Sequence, residues 1–156
     1  MKKVVIGAAV LAVLAVLVKV FAFGPDDKQM IQAALDESLA AAKDGKPSPV
    51  LDYLSSKFEI NGERMADRPE IARIVRTARP DIKVQTREPQ ISGDTAVIVS
   101  SVNVDADYLS FSMNQTIPNV KIKFAKESGT RYLVIPYPKW RIVGVEAEGL
   151  PTDYNP

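Results

Sequence analysis

Residues 67–86 read DRPEIARIVRTARPDIKVQT, and within them the period of the apolar positions changes. Asp67 with Glu70 three residues later fits a capping box. Ile71, Ile74, Val75 and Ala78 follow at i, i+3, i+4 and i+7, the stripe of an amphipathic helix. Pro80 ends that helix. From Asp81 onward the period is two: Ile82, Val84 and Thr86 alternate with Lys83 and Gln85, the pattern of a half-buried strand.

Downstream the chain reads as strands. Ser92-Gly93-Asp94 is a turn, and Thr95 to Val104 is rich in β-branched residues. Phe111, Met113 and Gln115 alternate weakly, whereas Val120, Ile122 and Phe124 alternate cleanly with Lys121 and Lys123. Glu127-Ser128-Gly129 predicts a turn into a strand from Arg131 to Tyr137, and Trp140 to Val145 predicts the closing strand. Pro136 and Pro138 cannot donate to a ladder and belong at a strand end or edge.

Upstream it reads as helices. Asp26 with Gln29 fits another capping box. Ile31, Ala34, Leu35, Ser38, Leu39 and Ala42 form one stripe, stopped by Gly45 and Pro47. Ser48-Pro49 opens a second helix, with Val50, Leu51, Leu54 and Phe58 on its apolar face, and Asn61-Gly62 marks a turn. Three helices followed by an antiparallel run define an α+β fold, with the helices packed on one side of a curved antiparallel sheet.

Met1-Lys2-Lys3 precedes Val4 to Phe23, a run with one charge, Lys19. About 20 apolar residues match the length of a membrane-crossing helix. An uncleaved anchor is expected, with cleavage near Ala22 and secretion as the alternative. Lys2 and Lys3 before the run and Asp26 and Asp27 after it keep the amino end cytoplasmic and the domain extracytoplasmic. Residues 1–24 are thus read as a transmembrane signal anchor, 25–147 as the exported α+β domain and 148–156 as a polar tail. The Met-Lys-Lys leader reads as bacterial, and Asn114-Gln115-Thr116, a glycosylation sequon, matters only in a eukaryotic host.

The chain has 20 Lys+Arg, 19 Asp+Glu and neither His nor Cys. It therefore has no disulfide, no thiol nucleophile, no imidazole base and no thiolate or imidazole metal ligand. A net charge of +1 gives no reason to expect a nucleic-acid partner. Beyond the leader the balance is 17 basic to 19 acidic residues, which does not favour an anionic lipid surface.

Val50-Leu51-Asp52-Tyr53-Leu54-Ser55, Phe58-Glu59-Ile60-Asn61-Gly62, the short helix opened by Arg68-Pro69-Glu70, and the closing Lys139-Trp140-Arg141-Ile142 together resemble the nuclear transport factor 2-like (cystatin-like) superfamily. The resemblance covers most of residues 26–146. It implies a cone, a sheet wrapped round a long first helix with a pocket at the open end. Members include isomerases, cyclases and dehydratases, subunits with no chemistry, and exported domains on a single amino-terminal anchor, such as a subunit of type IV secretion machines. Fold alone therefore leaves function open.

An isomerase-like site needs a carboxylate base with a Tyr beside it. Asp105, Asp107, Tyr108 and Tyr53 are the available residues, and Val-Asp-Ala-Asp-Tyr reads as a solvated hairpin tip. No catalytic residue is assigned. Dehydratases of this kind commonly use a His, which this chain lacks. Neither Asp26-Asp27 nor Asp105/Asp107 has the ligand pattern of a calcium loop, so no metal and no cofactor are expected.

Tyr53, Tyr132, Tyr137 and Trp140 could line an apolar pocket with polar tips, and Tyr53, Tyr132 and Trp140 are taken as the ligand-binding candidates. Residues 64–87 carry a net charge of +4, and Arg73, Arg76 and Arg79 lie opposite the stripe of the third helix. These arginines are the partner-binding candidates, and a solvated helix face is the plainer reading of them. The expected protein is a single-pass, membrane-anchored, non-enzymatic domain. Its partners would be a second copy or another protein on the exposed sheet face, or an apolar small ligand. The alternatives are a small isomerase- or cyclase-like enzyme with a carboxylate in the cone, and a hydrophobic-ligand carrier.

Overall fold

A computed structural model describes residues 26–64, 67–108, 111–131 and 135–148. Val4 to Phe23 and the end of the tail lie outside the described residues. No described helix is long and apolar enough to cross a membrane.

Helix α1 spans Asp27–Lys43, and the Asp26 carboxylate accepts the Gln29 backbone N–H at 2.7 Å. It buries Ile31, Ala34, Leu35, Ser38, Ala41 and Ala42, the stripe read from the sequence with Leu39 left at its edge. Gly45 at φ +69° takes the chain out of the helix, a conformation open to a residue without a Cβ. Helix α2 spans Pro47–Tyr53, with proline in its first turn. Helix α3 spans Arg68–Ala78 and ends on Arg79 in the left-handed region, at φ 42°. Asp67 occupies its N-cap position without a side-chain hydrogen bond, so the second capping box does not form.

The second helix stops at Tyr53, five residues before Phe58. Leu54–Ile60 is strand β1, and it runs parallel to the last strand, pairing Leu54 with Ile142 and Ile60 with Val145. The sheet is therefore mixed and not antiparallel throughout. Leu54 and Phe58 sit four apart, a spacing that suits a helix face and a strand face alike. Long-range pairing with the closing strand selects the extended form.

The remaining strands are β2 (Asp81–Val84), β3 (Gln90–Ser92), β4 (Thr95–Tyr108), β5 (Phe111–Arg131) and β6 (Ile135–Glu146). The order is β1-β6-β5-β4-β2, with β3 also on β4. The two strands expected around Phe111 and Val120 are one strand of 21 residues. Its break is a bulge: the register passes from Ile117 opposite Val102 to Val120 opposite Ser100, across Pro118 and the positive-φ Asn119. The expected turn at Glu127-Ser128-Gly129 lies inside the strand, paired with Lys139, Pro138 and Tyr137, and the hairpin closes beyond Arg131 opposite Ile135. Pro136 and Pro138 fall on a stretch of β6 upstream of its pairing with β1, an edge as expected.

The helices cover one face of this sheet. Among the described residues, Trp140, Phe124 and Ile98 from the sheet and Ile31 and Leu35 from α1 are the most deeply buried large side chains.

Candidate ligand cavity

Between α1 and the covered face of the sheet the packing leaves a cavity of about 270 Å³. Leu39 and Ala42 reach it from α1, Phe58 from β1, Val75 from α3, and Val104, Ile117 and Val145 from the sheet. Among the described residues Ser38 supplies the one polar side chain of its wall, and that hydroxyl donates to the Leu35 carbonyl at 2.9 Å. Among the described residues no buried side-chain nitrogen or oxygen lacks a partner. Among the described residues the wall thus offers shape and apolar contact but no carboxylate and no free donor.

A wider polar depression of about 500 Å³ lies alongside, lined by Asn61, Asn119, Lys121 and Glu146. Ala147 belongs to both walls. The Asn61 carboxamide fixes it, donating to the Ala147 carbonyl at 3.1 Å and accepting its N–H at 2.8 Å. Glu146 is ion-paired with Lys123, and Lys121 stands 3.8 Å away.

The described aromatic candidates, Trp140 and Tyr53, lie elsewhere. The Trp140 ring is 2% exposed and not on the cavity wall. Its Nε1 donates to Asp27 Oδ1 at 2.9 Å, and Lys126 Nζ lies 5.1 Å from the ring centre. The Tyr53 hydroxyl donates to Glu37 Oε2 at 2.5 Å, and Lys139 Nζ sits 4.2 Å over its ring. Tyr53 is not on the wall either. Tyr132 lies outside the described residues.

Arg73 and Arg76 lie on the exposed face of α3, and Arg79 is exposed just past its end. Arg73 is 3.6 Å from Glu70, and Arg79 both ends the helix and packs over Gly45. Asp105 and Asp107 are exposed on the β4–β5 arm, where Asp107 accepts from the Ser112 hydroxyl. The carboxylates whose acidity is displaced are all pushed below their ordinary range. The Trp140 and Lys126 hydrogen bonds do this to Asp27, Lys43 to Asp81, Lys46 to Asp44 and Lys123 to Glu146. A general base needs the opposite displacement. Among the described residues no group of three or more acidic side chains could hold a metal ion.

The opposite face of the sheet alternates apolar and basic positions. Val97 stands opposite Lys123 and Val99 opposite Lys121, which interrupts any continuous apolar patch. The residues that sequence reasoning missed are those of the cavity wall, Phe58, Val104, Ile117 and Val145. Their apolar spacing is the same as that of the core, so pattern alone does not separate wall from core.

No family model matches this chain, and no curated protein does. Solved structures do. A nuclear transport factor 2-like protein of unknown function in nutrient uptake from Rhodospirillum rubrum is 13% identical, covering 78% of this chain and 97% of its own, with a TM-score of 0.60. One from Cytophaga hutchinsonii is 11% identical over the same shares, also at 0.60. A superfamily protein from Salmonella enterica serovar Typhimurium is 18% identical, covering 81% of this chain and 94% of its own, at 0.54. The chain has the nuclear transport factor 2-like fold.

Proposed function

We propose that this chain is an exported binding domain that holds a small uncharged apolar molecule in its cone without transforming it. The apolar cavity carries the reading: about 270 Å³, just below the usual range of ligand sites and so sized for a small molecule, with the one polar side chain among its described residues already hydrogen-bonded within α1. A carboxylate ligand would leave its charge unpaired in such a wall, and a reacting substrate would find no base. The anchor completes the proposal. Val4 to Phe23 is long and apolar enough to hold the domain at the outer membrane surface, and Gly24-Pro25 leads directly to the Asp26 cap of α1.

Native mass spectrometry of the full chain, extracted gently from its own membranes, tests both halves. An intact mass that retains Met1 to Phe23 supports the anchor, and loss of about 22 residues would replace it with a cleaved leader. A bound neutral small molecule, released on denaturation, supports the cavity as a binding site. A chain that arrives empty and stays empty with apolar compounds of this size would refute it.

A further inference from the structure

Charge is unevenly spread over this domain. Beyond the leader the chain carries a net charge of −2, yet residues 64–87 carry +4, so the remainder carries −6. Solubility needs charge but not its segregation. A patch of one sign on a domain of the other steers a partner of opposite charge.

The structure narrows the tract to the carboxyl end of α3. Arg64 and Arg68 turn back on the domain and donate to the Ser56 and Leu51 carbonyls. Arg87 is paired with Asp36, Arg73 stands by Glu70, and Lys83 shares Asp81 with Lys43. Arg76 and Arg79 are exposed, and among the described residues neither makes an ion pair or a side-chain hydrogen bond. Lys46, next to Gly45, is exposed at the same end and paired with Asp44. Arg79 adds an independent observation. It holds φ 42° at a cap where glycine or asparagine is the usual residue, and its side chain runs across Gly45. Backbone strain kept where the fold has an easier choice marks a functional position.

We propose that the carboxyl end of α3 docks an acidic segment of another protein, with Arg76 and Arg79 as its anchors and Arg73 and Lys46 at its flanks. The planar fork of an arginine takes a carboxylate through two parallel N–H bonds, so each anchor fits one Asp or Glu side chain. Arg73 and Arg76 lie about 4.5 Å apart along the helix axis, which suits acidic residues three apart on a facing helix. Position selects protein carboxylates over lipid phosphates. Lys43, at the end of α1 beside this patch, lies about 24 Å along the helix from Asp27, the end that the leader enters. A leaflet at the Asp27 end is thus about three times the ~8 Å screening length away. Only that last step uses the anchor, and the proposal is independent of the cavity reading.

The test uses the full chain in mild detergent, with fluorescently labelled poly-glutamate as the probe and anisotropy as the readout. Saturable binding is expected, with a dissociation constant on the order of tens of micromolar at about 0.15 M salt. Arg76→Glu should weaken it at least about tenfold, whereas the charge-matched Lys57→Glu on the exposed edge of β1 should change it by less than about twofold. Arg79→Gly should weaken binding at least about threefold while the thermal transition stays cooperative, which separates a lost contact from a lost fold. Absence of saturable binding would overturn the proposal. So would equal losses for Arg76→Glu and Lys57→Glu, which would assign the binding to net charge. Tripolyphosphate or vesicles of anionic phospholipid that bind more tightly than poly-glutamate would also overturn it, in favour of a phosphate ligand.

Discussion

Trp140 donates its indole N–H to Asp27 across 113 residues of chain, tying the closing strand to the first turn of the first helix at 2.9 Å. The ring is 2% exposed, so the contact fixes one of the largest blocks of buried apolar surface in the domain. Trp140→Ala is expected to cost about 3–5 kcal/mol, as truncations of buried aromatics do. Trp140→Phe keeps much of the bulk but removes the donor. It should cost less, on the order of 1 kcal/mol beyond the change in bulk, since Asp27 loses one of its two partners and keeps Lys126. Chemical denaturation of the two variants checks the order, and an unchanged midpoint for Trp140→Ala would show the ring to be dispensable.

Asp27 also sets an acid limb. Its carboxyl lies below the ordinary range, first because of the Trp140 hydrogen bond and then because of Lys126. A depressed folded-state value means that the unfolded chain takes up the proton first as pH falls. The contribution is complete above the ordinary carboxylate value, near pH 4, and disappears as pH drops through the folded value. Asp27→Asn should lower the melting temperature at pH 6. The gap to the natural sequence should narrow as pH falls below about 4. A constant gap across that window would remove Asp27 from the acid response.

Ser55, 3% exposed, donates to Glu127 Oε1 at 2.6 Å, while Arg141 Nε stands 3.3 Å from Oε2 of the same carboxylate. Glu127→Ala leaves the buried Ser55 hydroxyl without its acceptor and takes the carboxylate from Arg141, which keeps its bond to the Asp52 carbonyl, at an expected cost of about 1–3 kcal/mol. Glu127→Gln keeps an acceptor for Ser55 and should cost less. Equal losses for the two variants, measured in urea, would assign the effect to packing instead of the polar contacts.

The same residue shows why only part of this fold was legible. Glu127-Ser128-Gly129 has turn composition, yet contacts from β1 and β6 hold it in a strand, and no local signal reports such partners. Pro118-Asn119 looked like a gap between strands because a bulge and a turn use the same residues. The helices were legible because each carries its own periodicity and stop. β1 was not, because Leu54 and Phe58 satisfy two periods and a parallel pairing to Ile142 is invisible from nearby sequence. The aromatic candidates were placed by residue type alone. The polar tips of Tyr53 and Trp140 are taken by Glu37 and Asp27, away from the cavity, whose described wall is built from largely aliphatic residues indistinguishable from core.

Gly45 and Arg79 face each other at the ends of α1 and α3. A Cβ on Gly45 would lie 2.9 Å from Arg79 Nε and 3.1 Å from its Cγ, on a backbone already at φ +69°. Gly45→Ala should therefore destabilise by about 1–2 kcal/mol through strain and contact together. Arg79 itself holds φ 42°, which suits glycine better, so Arg79→Gly should raise stability by up to about 1 kcal/mol and soften the Gly45→Ala loss in the double variant. If Arg79→Gly instead lowers the melting temperature, the packing of the side chain over Gly45 outweighs the strain of its backbone.

Ala42 lies on the buried stripe of α1, 6% exposed, with its methyl on the cavity wall. Leucine has nearly the helix propensity of alanine, so Ala42→Leu changes the occupied volume with little effect on the helix. If the cavity is open at this point, the three added carbons fill empty space. Stability should then rise by about 0.5–2 kcal/mol, as in other cavity-filling substitutions. Affinity for a neutral apolar ligand should fall at least about tenfold, because ligand and side chain compete for one volume of about 270 Å³. Thermal melting and ligand titration of the one variant read both effects. A loss of about 1–3 kcal/mol would be the signature of overpacking, placing the usable space away from α1. A gain in stability with ligand affinity unchanged would separate the cavity from the binding site and count against the proposed function.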